Sequence, residues 1–341
     1  MLRVLLVGYG FGARIIHAPL IAVSEGLEVA GIVTRRHDEI ARDWPGTHVY
    51  PDLSAALAQG GIDLVVICTP NDTHAVLAHQ SLDGGAHVVI DKPFAIDSTE
   101  AQGIADHARR TGRIVTAFQN RRWDSHILTA QKLLKDKAFG TISDATLAYD
   151  RLRQVNPARW GDKARPGSGI WLNLGSHLVD QAVHLFGRPQ TIMADIFAQR
   201  PGAVVDDTFH VILGYGGFRV TLRACMITPA PAPVITIHGS AGSLVRYGED
   251  IQEAVLKTGE VPGADSPIPV LAQFTPAEGE TAGTTYNIVA GPGNYRAFYP
   301  AMVAAIRDGA SPPVAIEETL LVQHLLDLGF VSAREGRRLE V

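Results

Sequence analysis

A lysine seldom follows a buried strand without a partner or a task, and Lys92 stands directly after the aliphatic run His87-Val88-Val89-Ile90, at the centre of Asp91-Lys92-Pro93. Open parallel sheets bind their ligands at the carboxyl ends of the strands, so this ammonium is placed for chemistry. A second group able to move protons is His177, within Trp171-Leu172-Asn173-Leu174-Gly175-Ser176-His177-Leu178-Val179-Asp180. Helical spacing puts Asn173, His177 and Asp180 on one polar face and Leu174, Leu178, Ala182 and Leu185 on another of a helix running to Gly187; the polar stripe is read as a proton-transfer face, the alternative being the solvated side of a partly exposed amphipathic helix. Imidazole titrates near neutral pH, and a desolvated lysine can join it in handling the proton of one oxygen. Lys92 and His177 together suit a reaction in which a hydride leaves an alcohol carbon while a proton leaves its oxygen, or the reverse.

Such a reaction needs a hydride carrier, and the start of the chain describes a site for one. Leu2 to Val7 run into Gly8-Tyr9-Gly10-Phe11-Gly12-Ala13-Arg14, a strand, a glycine turn and a helix. Gly8 and Gly10 let backbone approach a pyrophosphate, Phe11 and Gly12 continue the turn, and Ala13 fills the third position of the G-x-G-x-x-G/A pattern. At the end of the second strand, where a carboxylate would bind a ribose 2′-hydroxyl, the sequence reads Val33-Thr34-Arg35-Arg36. That arrangement suits a 2′-phosphate, with Thr34 as hydrogen-bond donor and Arg35 or Arg36 as charge partner, so NADP(H) is the expected cofactor and NAD(H) the alternative.

Aliphatic runs at Leu2 to Val7, Glu28 to Val33, Leu64 to Cys68, His87 to Ile90 and Ile114 to Ala117 alternate with helical segments and predict a parallel, doubly wound sheet. Thr69-Pro70 breaks the chain before Asn71-Asp72-Thr73, whose side-chain oxygens are expected to cap the next helix, so Thr69 to His74 is a second ligand-facing loop. After a helix near Asp124 to Lys137 the pattern changes. Longer strands follow at Ile142 to Leu152, Thr191 to Ala198, Thr208 to Gly214, Phe218 to Met226 and Val234 to His238, predicting an antiparallel sheet. Residues 256–291 show no assignable period, and helices near Tyr295 to Asp308 and Glu317 to Ala333 close the chain. The reading is α/β: residues 1–118 a Rossmann domain, 119–341 an α/β domain with a large, mostly antiparallel open sheet.

Composition narrows the partners. The 341 residues carry 46% hydrophobic and 19% charged residues with a formal net charge of -5, which argues against disorder and against a basic nucleic-acid footprint and points to a small-molecule partner. Two cysteines are too few for a disulfide framework. With no spanning apolar stretch and no signal-like start, the expected setting is the cytoplasm, with no membrane partner. His177, Asp180 and His184 have helical spacing compatible with a metal, but hydride transfer has no need of one and a further ligand is not evident, so no metal is expected. Asn120, Arg122, Trp160 and Tyr295 are candidates to line a hydroxyl-rich substrate site, each with an equal structural alternative; for Arg122 that alternative is pairing with a carboxylate.

Taken in order, Gly8-Tyr9-Gly10, Thr69-Pro70-Asn71-Asp72-Thr73-His74, Asp91-Lys92-Pro93 and Asn173 to His177 resemble the glucose-fructose oxidoreductase, inositol dehydrogenase and rhizopine-catabolism group, Gfo/Idh/MocA. Phe118-Gln119-Asn120-Arg121-Arg122-Trp123 and Gly291-Pro292-Gly293-Asn294-Tyr295 look most like its scyllo-inositol dehydrogenase branch. The resemblance implies that Lys92 is the catalytic lysine, that Pro93 follows a cis peptide bond, that His177 is the acid/base, and that Asn71 and His74 lie near the cofactor. It also implies a cyclic polyol or sugar substrate and a homodimer or homotetramer built on the open sheet. Two positions depart from the family pattern: Asp91 stands for the usual glutamate and Asn173 for the usual aspartate. Asparagine can accept a hydrogen bond from His177 but cannot stabilise imidazolium by charge. Either Asp180 compensates, or reduction is the main direction, or the proton moves through Lys92 alone. The rival readings are a catalytically silent dinucleotide-binding regulator and a reductase of an imine or dihydrodiol-related substrate.

Overall fold

The computed structural model describes residues 1–263 and 270–341, apart from the side chains at positions 160, 270 and 290. These residues divide into two compact units. One comprises Met1–Asn120, Gln252–Gly263 and Tyr295–Leu320, the other Arg121–Ile251, Ala264–Asn294 and Leu321–Val341. The linear division at residue 118 assigns 252–263 and 295–320 to the second domain, whereas by contact they pack with the first unit.

The first unit is built on strands β1 (Leu2–Val7), β2 (Leu27–Val33), β3 (Val49–Tyr50), β4 (Leu64–Ile67), β5 (His87–Ile90) and β6 (Val115–Ala117). All are parallel, in the order β3-β2-β1-β4-β5-β6. Leu5, Val65, Ile67, Val88 and Ile90 are fully buried, as strands covered on both faces require. Register matters most for function. Val7 pairs with Val33 and with Ile67, and Ile67 pairs with Ile90, so four strands end in one row. The glycine turn, Thr34–Arg36, Cys68–Asn71 and Asp91–Pro93 therefore leave the sheet side by side, where strand order reverses between β1 and β4.

The second unit carries β7 (Ile142–Ala148), β8 (Thr191–Phe197), β9 (Thr208–Gly214), β10 (Arg219–Cys225), β11 (Ile235–Gly239), β12 (Gly242–Arg246), β13 (Val270–Glu278), β14 (Thr281–Ala282), β15 (Tyr286–Ala290) and β16 (Leu339–Glu340). Its order is β14-β13-β12-β11-β7-β10-β9-β8-β16, with β15 on β13, and among these pairs only β7 with β10 is parallel. One face alternates inward: Phe209, Val211 and Leu213 are buried while His210 and Ile212 are exposed. Trp171 fills the core against that face. Its ring meets Phe209 edge-on at 4.9 Å, its Nε1–H donates to the Leu326 carbonyl at 2.9 Å, and the indole lies so close to Gly175 and Gly329 that neither has room for a Cβ.

Candidate active site

The glycines of the first turn are required for different reasons. Gly8 has φ +94°, and a Cβ there would stand 2.7 Å from the Cys68 carbonyl oxygen, so packing and backbone both demand glycine. A Cβ on Gly12 would stand 2.7 Å from Asp91 Oδ2. At Gly10 a Cβ would meet nothing within 4 Å. The protein itself makes no use of a bare Cα at Gly10, and the open space there fits a pyrophosphate drawn against the backbone. Ala13 is fully buried behind the turn, and Arg14 N–H closes it onto the Gly10 carbonyl at 2.9 Å. Phe11 is 54% exposed, with Lys257 Nζ 5.4 Å from its ring centroid, a cation beside the turn that sequence reasoning missed because it comes from a segment more than two hundred residues away.

At the end of β2 the two arginines separate. Arg36 is held by Glu39 at 3.2 Å, and its N–H donates to Thr34 Oγ1 at 3.1 Å. Arg35 is exposed and enters none of the ion pairs among the described residues. Arg14 and Tyr9 are likewise engaged, both with Asp43.

The Lys92–Pro93 peptide is cis. Around it the loops of β4 and β5 are tied by His74, fully buried, whose Nδ1 lies 2.9 Å from the Pro93 carbonyl and Nε2 3.0 Å from the Thr69 carbonyl. Both partners are acceptors, so a neutral ring satisfies one and only imidazolium satisfies both. Burial pushes the His74 pKa down, while Asp91 and the two carbonyls oppose that push only in part. Asn71 and Thr73 form a short 3-10 turn, and the expected cap is absent at Thr73: its hydroxyl donates to the Pro70 carbonyl at 2.7 Å instead. Asp91 Oδ1 accepts the Lys92 N–H at 2.8 Å. Burial would raise the Asp91 carboxyl, but His17 and Lys92 outweigh it and hold the group below the usual carboxylate range.

In the second unit the predicted polar face divides into an exposed residue and two buried ones. Trp171–Gly175 is a π-helical turn and Ser176–Phe186 an α-helix, so the four-residue spacing from Asn173 to His177 crosses a change of pitch. Asn173 is exposed, whereas His177 and Asp180 are 5% and 1% exposed. Asp180 is engaged by Arg122, whose Nη2 and Nε donate to its two carboxylate oxygens at 2.7 and 2.9 Å, with both side chains buried. This is the carboxylate pairing that the sequence offered as the alternative for Arg122, and it engages Asp180 as well. Asn120 is buried, as is Tyr295, whose N–H donates to Gln252 Oε1 at 2.7 Å within the first unit. The Trp160 side chain lies outside the described residues. Asn173 lines a small cavity with Arg151, Arg153, Arg200 and Asp206. Asp206 accepts the Trp171 N–H at 2.6 Å, and burial pushes its carboxyl up to about 6. The Arg-x-Arg at 151 and 153 just beyond β7 was a readable signal for this cavity; Asp206 was not, since its partner is a distant backbone group.

Comparison with known proteins agrees with both units. Residues 2–119 match the description "Oxidoreductase family, NAD-binding Rossmann fold" and residues 131–341 match "Oxidoreductase family, C-terminal alpha/beta domain". The scyllo-inositol 2-dehydrogenase (NADP(+)) IolW of Bacillus subtilis (strain 168) is 33% identical over 341 residues, covering 98% of this chain and 95% of that protein. YdgJ of Escherichia coli (strain K12), an uncharacterized oxidoreductase, is 40% identical over 335 residues, 98% and 96% of the two chains. Among solved structures the yvaA protein of Bacillus subtilis superposes with TM-score 0.96 at 32% identity, over 100% of this chain and 98% of that one. An oxidoreductase from Bacillus cereus does so with TM-score 0.89 at 30% identity, over 100% and 99%. Both halves of the sequence, the parallel nucleotide-binding sheet and the second, mostly antiparallel one, converge on one assignment: the chain belongs to the Gfo/Idh/MocA family of oxidoreductases.

Proposed function

We propose that this oxidoreductase interconverts a hydroxyl and a carbonyl on a cyclic polyol or sugar, with scyllo-inositol and the corresponding inosose as the best single pair, and that NADP(H) is its cofactor. The observation that carries the reading is the contact of Gly12 with Asp91, which sets the glycine turn directly against the segment bearing Lys92. The similarity to an NADP-linked scyllo-inositol dehydrogenase supports the substrate class.

The dinucleotide accepts or supplies the hydride. The backbone at Gly8, Gly10 and Gly12 receives its phosphates, and Arg35 meets the 2′-phosphate, since Arg36 is already neutralised by Glu39. Thr69, Pro70, Asn71, His74 and Pro93 shape the adjoining wall, with His74 joining its two loops. Lys92 donates a hydrogen bond to the reacting oxygen, and His177 gives or takes its proton. Asn173 does not stabilise imidazolium by charge, and with Asp180 committed to Arg122 the reducing direction is the easier one. Self-association through the outer face of the second sheet is part of this reading, supported by the exposed Met193, Phe197 and Ile212 on β8 and β9.

The test is a spectrophotometric screen of inososes and ketoses with NADPH and of polyols with NADP+, each repeated with the NAD forms. Turnover of an inosose with NADPH, at least about tenfold faster than with NADH, is expected. Tight NADPH binding with no turnover of any such compound would contradict it.

A further inference from the structure

His17 is a residue for which the reading above has no use. It is fully buried on the first helix, packed against Phe118 with ring centroids 3.9 Å apart and the planes tilted by 42°. Its Nδ1 lies 2.5 Å from Tyr299 Oη. Its Nε2 faces Asp91 Oδ2 at 3.8 Å and has no hydrogen-bond partner. A buried ring nitrogen aimed at a carboxylate and left just short of it is not explained by packing alone.

One pattern of donation gives every group of this chain a use. Burial first, and then the neighbouring Cys68 and Asp91, push the Tyr299 phenol far up, so it keeps its proton and is able to donate to Nδ1. The tautomer that accepts there carries its own proton on Nε2, pointing at Asp91. The Cys68 thiol, also within 4.8 Å of the carboxylate and the imidazole, is pushed up by burial and by Asp91 and stays neutral. Asp91 closes the chain: Oδ1 holds the Lys92 N–H, and Oδ2 lies against Gly12 of the glycine turn.

We propose that Tyr299 and His17 are positioning residues for Lys92, acting through Asp91: the hydroxyl orients the imidazole, the imidazole fixes the carboxylate, and the carboxylate anchors the Lys92 backbone and faces its ammonium. A movement of roughly 1 Å brings Nε2 into hydrogen-bond range of Oδ2. Hydrogen bonds of this kind tighten when a site fills, and Gly12 places the phosphate turn in contact with the same oxygen. Because Asp91 touches both the turn and the lysine, the chain sets how the lysine meets the reacting oxygen more than how tightly the dinucleotide binds. The inference rests on the role given to Lys92 above.

Tyr299→Phe is the discriminating variant, since it keeps the ring between Phe118 and Phe298 and removes only the hydroxyl. It is compared in the full-length enzyme with Asp91→Asn, Asp91→Glu and Lys92→Ala. For Tyr299→Phe the expectation is a fall in kcat of about tenfold, NADPH affinity within about twofold of wild type, and a shift of the pH-rate profile by about half a unit or more. Asp91→Asn should fall further, and Asp91→Glu, which keeps the charge, should recover most of the loss. Wild-type kcat and pH profile in Tyr299→Phe, with Lys92→Ala inactive, would overturn the inference and leave the role of Lys92 intact. A fall in kcat matched by an equal fall in NADPH affinity, with the pH profile unmoved, would also overturn it. Full turnover by Lys92→Ala would remove the role of Lys92 itself.

Discussion

At the scale of single residues, the three glycines of the first turn make opposite demands that can be separated. Gly10→Ala meets no protein atom, so unfolding should be unchanged while NADPH affinity drops by at least about tenfold, or about 1.4 kcal/mol. Gly8→Ala meets the Cys68 carbonyl at positive φ and should cost about 1–3 kcal/mol of stability. Thermal unfolding and fluorescence titration with NADPH distinguish the two, and wild-type affinity in Gly10→Ala would remove the pyrophosphate from the turn. For the 2′-phosphate, Arg35→Ala should raise the KM for NADPH by about 10- to 100-fold and leave NADH nearly unaffected. Arg36→Ala should do far less, because Glu39 already holds that guanidinium; equal effects would return both arginines to the cofactor. Lys92, His177 and the glycines were legible because their types and local spacing announce chemistry. What sequence could not supply were partners: Asp180 is claimed by Arg122 from 58 positions away, and Tyr299 reaches His17 across 282.

Secondary structure was legible to within a few residues where period and length were strong. β1, β5 and β9 end where the aliphatic or alternating runs end. β3, with two residues, is too short to show a period, and β12 to β15 are interrupted by Gly, Pro and Thr that mask alternation. The π-turn at Trp171–Gly175 was hidden for a different reason: it exists to seat the indole against Gly175 and Gly329, a tertiary demand. Asp206 secures the start of that turn through the Trp171 N–H. Its raised pKa has a definite sign: the folded state favours the protonated carboxyl, so its contribution is fully present below about pH 4 and lost as pH rises through about 6. Asp206→Asn retains an acceptor without the charge. Relative to wild type it should gain up to about 3 kcal/mol between pH 4 and pH 7, measured by thermal unfolding across that range. A difference that does not vary with pH would mean that Asp206 is not desolvated.

For the molecule as a whole, the parallel and the mostly antiparallel sheets were both foreseeable from the switch in pattern near residue 120, and the family follows from both. The return of residues 252–263 and 295–320 to the first unit was not, because such contacts leave no mark on local composition. No helix among the described residues is long and apolar enough to cross a membrane. Everything functional turns on whether Lys92 holds the reacting oxygen during hydride transfer. Steady-state oxidation of NADPH by scyllo-inosose, with wild type and Lys92→Ala both saturated with NADPH, tests this most directly. A fall in kcat of about a thousandfold or more, with NADPH affinity held within about twofold, is the predicted result. A Lys92→Ala enzyme that turns over within about tenfold of wild type would contradict the account.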